Sequence, residues 1–269
     1  MKNTKRNFIQ LGLLAALLVL PLAGRAQLSF TTNSGAITIT GYNTAAGLDV
    51  FIPAAINGHP VTSIGDGAFA QSSLTSIVIS YGITNIGNEA FFESDLTSIA
   101  IPNSVTTIGA GAFKNCYVLT SVSIPSSVVN LGQGVFAGYN ELTDVTIANA
   151  IIGNDEFADC VQLTGITIPA SVTNIGTGAF DTCLSLTAIT VAAGNTNYSS
   201  VDGVLFDKKQ TSLLGYPPGK IGIYTISNSV TTIGTNAFEN CGLTNIIIPS
   251  SVNTIPDSAF EDSDLIILG

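Results

Sequence analysis

A chain of 269 residues with a single histidine, four cysteines and no tryptophan has few groups able to do covalent chemistry. His59 stands beside Pro60 without a second histidine, or a nucleophile and carboxylate at recognisable spacing, so it assembles neither a triad nor an imidazole metal site. Cys116, Cys160, Cys183 and Cys241 lack C-x2-C spacing. Each instead follows a phenylalanine by three residues, the place that Ser72, Ser94, Tyr139 and Ser263 occupy elsewhere. That recurrence describes a small side chain in a packed, repeated slot. Only Cys160 and Cys183 fall in adjacent repeats, so only they could bridge in an oxidising compartment. The run Glu261-Asp262-Ser263-Asp264 lacks the glycine and the alternation of a calcium loop. It reads as a solvated turn, as do Asp155-Glu156 and Asp159. No glycine loop is left over to cradle phosphate. The sequence thus predicts no catalytic residue, no metal ligand, no cofactor and no enzyme.

What positions these residues is a repeat. Leu96-Thr97-Ser98-Ile99-Ala100-Ile101 is an L-x-x-I-x-I run, stopped by Pro102, which has no N–H to donate. A β-branched run, Val105 to Ile108, follows, then Gly109 and the turn Ala112-Phe113-x-x-Cys116. Copies are marked by Phe69, Phe91, Phe113, Phe136, Phe157, Phe180, Phe238 and Phe260, about 22 residues apart wherever they are neighbours. Five residues before each lies Ile64, Ile86, Ile108, Leu131, Ile152, Ile175, Ile233 or Ile255. Such a period with such a strand predicts a β-rich leucine-rich-repeat solenoid: one parallel strand per ~22-residue coil in a continuous sheet, short second strands and short helical turns. A lone coil buries about seven apolar side chains at ~1.5–3 kcal/mol each. Ordering it costs ~1.5 kcal/mol per residue. Coils are therefore stable only when stacked. Gly65, Gly87, Gly109, Gly132, Gly153, Gly176 and Gly234 share a slot that holds Pro256 in the last copy. Proline cannot take positive φ, so the slot reads as the start of a helical turn.

The flanks differ. Lys2, Lys5 and Arg6, then the apolar Phe8 to Leu22 and Gly24-Arg25-Ala26, form a signal peptide over 1–26. Its apolar run is shorter than the ~20 residues of a spanning helix. Cleavage leaves four basic against eighteen acidic residues, a formal −14. That charge excludes nucleic acid and anionic membrane faces as partners, and membrane insertion is not expected after cleavage. Residues 27–58 read as an N-terminal cap, and 59–269 as the solenoid. An irregular coil at about 192–224 carries a protruding hairpin, Tyr198–Phe206 and Ser212–Tyr216 around Asp207-Lys208-Lys209-Gln210, with Pro217-Pro218-Gly219 turning the chain afterwards. The final Leu265 to Gly269 resembles the first strand of a further coil, which reads either as a truncated chain or as an open apolar edge that would permit self-association.

These motifs, over residues 48–268, resemble the BspA-like, type-5 leucine-rich repeats. The segment Asn197-Tyr198-Ser199-Ser200-Val201-Asp202-Gly203-Val204-Leu205-Phe206 is similar to that family's usual interruption, whereas Ser80 and Ala148 depart from it by replacing the strand-ending proline. The resemblance implies a secreted or cell-surface protein used in adhesion to an extracellular protein or glycan. A spacer segment of a longer surface protein is the alternative. Thr75, Thr97, Thr120, Thr143, Thr164, Thr187 and Thr244 read as hydroxyls bonding along the stack. The residues left for a ligand are exposed strand positions, among them Ser98, Ser121, Ser123, Asp144, Thr146, Thr167, Thr190 and Asn245. That face lacks the aromatic and arginine anchors of strong interfaces. Tyr198, Lys208, Lys209 and Tyr216 of the hairpin make the better single hot spot.

Overall fold

The computed structural model describes residues 28–43, 48–263 and 265–268. The predicted signal peptide lies outside the described residues. No helix among the described residues is long and apolar enough to cross a membrane. The chain winds as a solenoid whose coils meet along three lines.

The first line is the strand face. Asp49–Ile52 pairs in parallel with Ser76–Ile79, Ser121–Ile124 with Asp144–Ile147, and Gly165–Ile168 with Ala188–Val191. Gly222–Thr225, Leu243–Ile247 and Ile266–Leu268 close the series. Alternation decides which way each residue points: Val122 and Ile124 are buried while Ser121 and Ser123 face out. The expected continuous sheet is broken into these groups: Ser98 to Ile101 follows the same path without strand pairing, and Asp144–Ile147 is not paired with Gly165–Ile168.

The second line is a corner ladder of shorter strands. Ala36–Tyr42, His59–Ile64, Asn85–Ile86, Thr107–Ile108 and Asn130–Leu131 run parallel, with Ile64, Ile86, Ile108 and Leu131 in register. Leu28–Asn33 folds back antiparallel on Ala36–Tyr42, ending that ladder in a hairpin.

The third line is the turn edge around each phenylalanine, where the expected helical turns give way to non-helical ones. The residues two before and two after the ring take left-handed φ: Glu89 and Glu93, Gly111 and Asn115, Asp155 and Asp159, Asn236 and Asn240. Those angles interrupt any helix. In their place, alternate N–H groups bond to the next coil and within their own. Glu89, Phe91 and Glu93 donate to the carbonyls of Ala110, Ala112 and Lys114, while Phe92 and Ser94 donate back to Glu89 and Phe91.

The rings form a column inside. Phe69, Phe91, Phe113 and Phe136 stack at 5.1, 5.0 and 5.4 Å with planes within 4°. Phe157 and Phe180 continue it at wider spacing. After the irregular coil it restarts with Tyr216, Phe238 and Phe260.

The shared glycine slot has a different cause from the one its sequence suggested. None of its glycines has positive φ, yet at Gly87, Gly109, Gly132 and Gly176 a methyl group would strike the backbone of the coil beneath, and at Gly234 it would come within 3.3 Å of Leu213 O. A Cβ at Gly87 would lie 2.6 Å from the Asp66 nitrogen, and one at Gly132 2.2 Å from that of Ala110. Glycine is needed so that two backbones can touch.

The irregular coil is also rearranged. Its first run is itself a hairpin, Tyr198–Val201 against Val204–Asp207, turning at Asp202 and Gly203, both of positive φ. Ser212–Gly215 adds antiparallel to that hairpin and continues the corner ladder by pairing with Thr232–Ile233. The hairpin does not protrude: Val204, Leu205, Phe206 and Leu213 are all buried.

Replacing Gly132 by Ala is expected to destabilise the protein by about 1–3 kcal/mol or more in urea unfolding, the range for overpacking. Gly165→Ala is the control, since a Cβ there meets only Ala188 O at 3.7 Å and should stay within about 1 kcal/mol of wild type.

Candidate functional site: the strand face and the irregular coil

The polar side chains divide into two populations. At the corners and edges they bond to the scaffold. Thr97 Oγ1 donates to Thr75 O, Thr187 to Thr164 O and Thr244 to Gly222 O, each at 3.1 Å. A second threonine series along the corner ladder does the same, Thr84 to Thr62 O and Thr106 to Thr84 O. Asp66 and Asn88 accept from backbone N–H groups of the next coil, at 2.7 and 2.9 Å.

The strand face is the opposite case. Ser98, Ser121, Ser123, Asp144, Thr146, Thr167 and Thr190 are exposed, Asn245 is half-buried, and among the described residues no side-chain hydrogen bond forms at any of them. This face is nearly neutral: of the strands that form it from Asp49–Ile52 to Leu243–Ile247, only Asp49 and Asp144 carry charge. Acidic residues gather instead on the turn edge, at Glu89, Glu93, Asp155, Asp159, Asp181, Glu239 and Glu261. Exposed aliphatics punctuate its ends: Val78 near one, Ile223 and Ile247 near the other.

The four hairpin residues do not act together. Tyr216 is only 4% exposed, which removes it as a surface contact. It fills the phenylalanine slot of the irregular coil, and burial pushes its hydroxyl up in pKa. Tyr198 is half-buried and its hydroxyl accepts the Ile175 N–H at 3.1 Å. Lys208 and Lys209 are exposed at the tip of a fixed loop. Asp207 Oδ1 accepts from the N–H groups of Thr211 and Ser212, both at 2.7 Å. Burial acts to raise the Asp207 carboxyl, but these bonds outweigh it and hold it below its ordinary value.

The remaining reactive groups are structural. All four cysteines are free and buried. Cys116, Cys160 and Cys183 donate to the carbonyls of Phe91, Phe136 and Phe157 in the coil before, at 3.1–3.3 Å. Tyr139 performs the same bond to Phe113 O at 2.7 Å. His59 is exposed with Nδ1 3.2 Å from Gly35 O, and no group of three or more His, Cys, Asp or Glu could hold a metal ion among the described residues.

Glu156 overturns its reading as part of a solvated turn. It is fully buried, neither carboxyl oxygen completes a hydrogen bond of normal geometry, and burial drives its pKa well above the usual carboxylate range against the opposing pull of the nearby Gly153 N–H. The signal was in the repeat itself. The residue preceding each ring is Ala68, Ala90, Ala112, Val135, Ala179, Ala237 or Ala259, so Glu156 sits in an inward apolar slot.

A stack of parallel strands and phenylalanine-filled turns, with one bare strand face, is the architecture of leucine-rich-repeat solenoids. The model of the BspA-type leucine-rich repeat region matches residues 62–187 and 219–268 in six copies, and the chain belongs to that family. A leucine-rich repeat protein from Eubacterium ventriosum is 28% identical, with a TM-score of 0.66 over 90% of this chain and 63% of that one. A leucine-rich cell surface protein from Faecalibacterium prausnitzii is 27% identical, with a TM-score of 0.60 over 90% of this chain and 93% of that one. The pneumococcal vaccine antigen PcpA, 22% identical with a TM-score of 0.73 over 84% of this chain and 64% of that one, shares the fold. The chain spans less than two thirds of the length of the first and third of these. No curated protein matches the chain.

Two outcomes follow from the buried groups. Glu156→Ala should raise stability at pH 7 by about 1 kcal/mol or more, the cost of a buried unpaired carboxyl. The sign with pH is fixed: the folded protein keeps a proton that the unfolded chain releases near the ordinary pKa of about 4.3, so wild type weakens as pH climbs from there, and the variant should weaken less. Denaturant midpoints measured from pH 4 to 8 check both. In the native protein the four thiols should resist a charged disulfide reagent, and all four should react after unfolding.

Proposed function

We propose that the protein is an exported, non-catalytic binding module that holds extracellular proteins or glycans along its strand face at the cell surface or in secreted form. The observation that carries this reading is the partnerless row of hydroxyls, carboxylate and amide from Ser98 to Asn245. Threonines at the corners and strand entries, Thr84, Thr97, Thr106 and Thr187 among them, are used by the scaffold, whereas these are free to bond a ligand. Without large aromatic or arginine anchors, affinity comes from many weak contacts over an extended surface. Lys208 and Lys209, two of four lysines beyond residue 26, add a local cationic contact for an acidic group. A cell surface protein among the similar structures supports the location, and the acidic turn edge disfavours nucleic acid.

The test is capture of extracellular proteins and glycans by the chain lacking residues 1–26. Ser123→Arg and Thr146→Arg, each expected to fold normally, should weaken capture about tenfold when combined, the scale of about 1.4 kcal/mol. Glu93→Lys on the turn edge should leave it unchanged. Lys208→Ala with Lys209→Ala reports whether the loop contributes. Absence of any capture, or equal capture by the face variants, would favour the spacer reading.

A further inference from the structure

The solenoid has two interiors. One apolar core runs from Leu28 to Ile189 with Leu205 as its last member. A second runs from Val204 to Ala259. Neighbouring residues of one strand, Leu205 against Val204 and Phe206, thus belong to different cores, and the boundary lies in the irregular coil.

The two sides of this boundary are joined differently. On the strand side, backbone bonds carry across it: Ile189 N–H to Gly203 O at 2.8 Å, Gly219 N–H to Leu186 O and Gly242 N–H to Pro218 O, both at 2.9 Å. On the turn edge the regular ladder runs up to the boundary, with Asp155, Phe157 and Asp159 donating to Thr177, Ala179 and Asp181. It resumes beyond, with Phe238 and Asn240 donating to Ala259 and Glu261. Between them the Phe180 N–H makes no backbone bond to the irregular coil among the described residues, and the Tyr216 N–H picks the ladder up again by donating to Ala237 O at 2.7 Å. A cleft of about 70 Å³ remains, lined by Phe180, Asp181, Tyr216, Asn236 and Glu239. Among the described residues, only side-chain hydrogen bonds span it. Asn236 Nδ2 donates to Asp181 Oδ2 at 3.4 Å and also to Glu239 Oε2, and Asn240 Nδ2 reaches Thr182 Oγ1 at 3.5 Å.

We propose that this junction is a proton-latched hinge: the C-terminal body turns on the strand-side backbone bonds, and the turn edge stays shut while Asp181 and Glu239 share a proton. One amide nitrogen brings the two carboxyl groups together, and a single proton between them replaces repulsion with a hydrogen bond. The groups that act on the pair are Asp155 and Asp159 from the coil below, Glu261 from the coil above, and Asn236; none is cationic. Burial first, then Asp181, raises Glu239 to about 7, and burial raises Asp181. The shut form therefore keeps a proton that the open form gives up near pH 4.3. Opening is hardest below that value, becomes easier as pH rises towards 7, and changes no further above it.

Hydrogen exchange of the full chain, corrected for intrinsic rates, reads the hinge directly. For peptides within 238–258, protection should fall about threefold or more between pH 5 and pH 8, less than the tenfold-per-unit limit for one proton because Glu239 is partly in water. In a Glu156→Ala background, which removes the separate pH dependence of that buried carboxyl, peptides within 61–135 should not change. Glu239→Gln, and independently Asp181→Asn, should flatten the C-terminal dependence while leaving the far-ultraviolet circular dichroism native. An unchanged pH dependence in both variants, an equal loss in both halves, or no loss at all would overturn the hinge.

Discussion

Every coil depends on backbones meeting at van der Waals distance. The glycine slot shows this most directly: at Gly87, Gly109, Gly132 and Gly176 one coil rests on the main chain of the one beneath, with no room for a methyl group. That contact sets the rise, and the rise brings the phenylalanine rings to about 5 Å. It also places each turn N–H opposite a carbonyl of the next coil. Loosening it at one level costs the hydrogen bonds and the ring contact at that level together. Such coupling is why a repeat too small to bury its own core is still stable in company.

Much of this was legible from the amino acids. The 22-residue beat of phenylalanines, the L-x-x-I-x-I alternation and the conserved spacing of the apolar residue five positions earlier specify parallel strands and an inward ring. Other features were not, three of them for reasons that lie beyond any single coil. Left-handed turns replaced helical ones because Glu, Asp and Asn at Glu89, Asp155 and Asn240 disclose nothing of φ without the inter-coil bonds that hold it. The protruding hairpin became a buried double turn because Asp202-Gly203 is a two-residue loop inside what reads as one strand. Tyr216 was mistaken for a surface anchor because its ring takes the phenylalanine slot at a spacing the insertion had shifted.

The candidate face was legible as positions and hidden as a property. Alternation alone picks out Ser121, Ser123, Asp144 and Thr146 as outward. That they lack any partner, while Thr143 beside Asp144 donates to Thr120 O and Thr97 and Thr187 do the same on other coils, emerges only from the hydrogen bonds. Charge is sorted in the same manner, with carboxylates along the turn edge and a near-neutral strand face.

This division between engaged and idle side chains has an evolutionary consequence. Substituting an idle residue removes no bond from the stack, so the face can be rewritten freely while the glycines, rings and corner threonines are held. Relatives only 22–28% identical keep one architecture. Lineages can therefore drift in what they touch without first relearning how to fold.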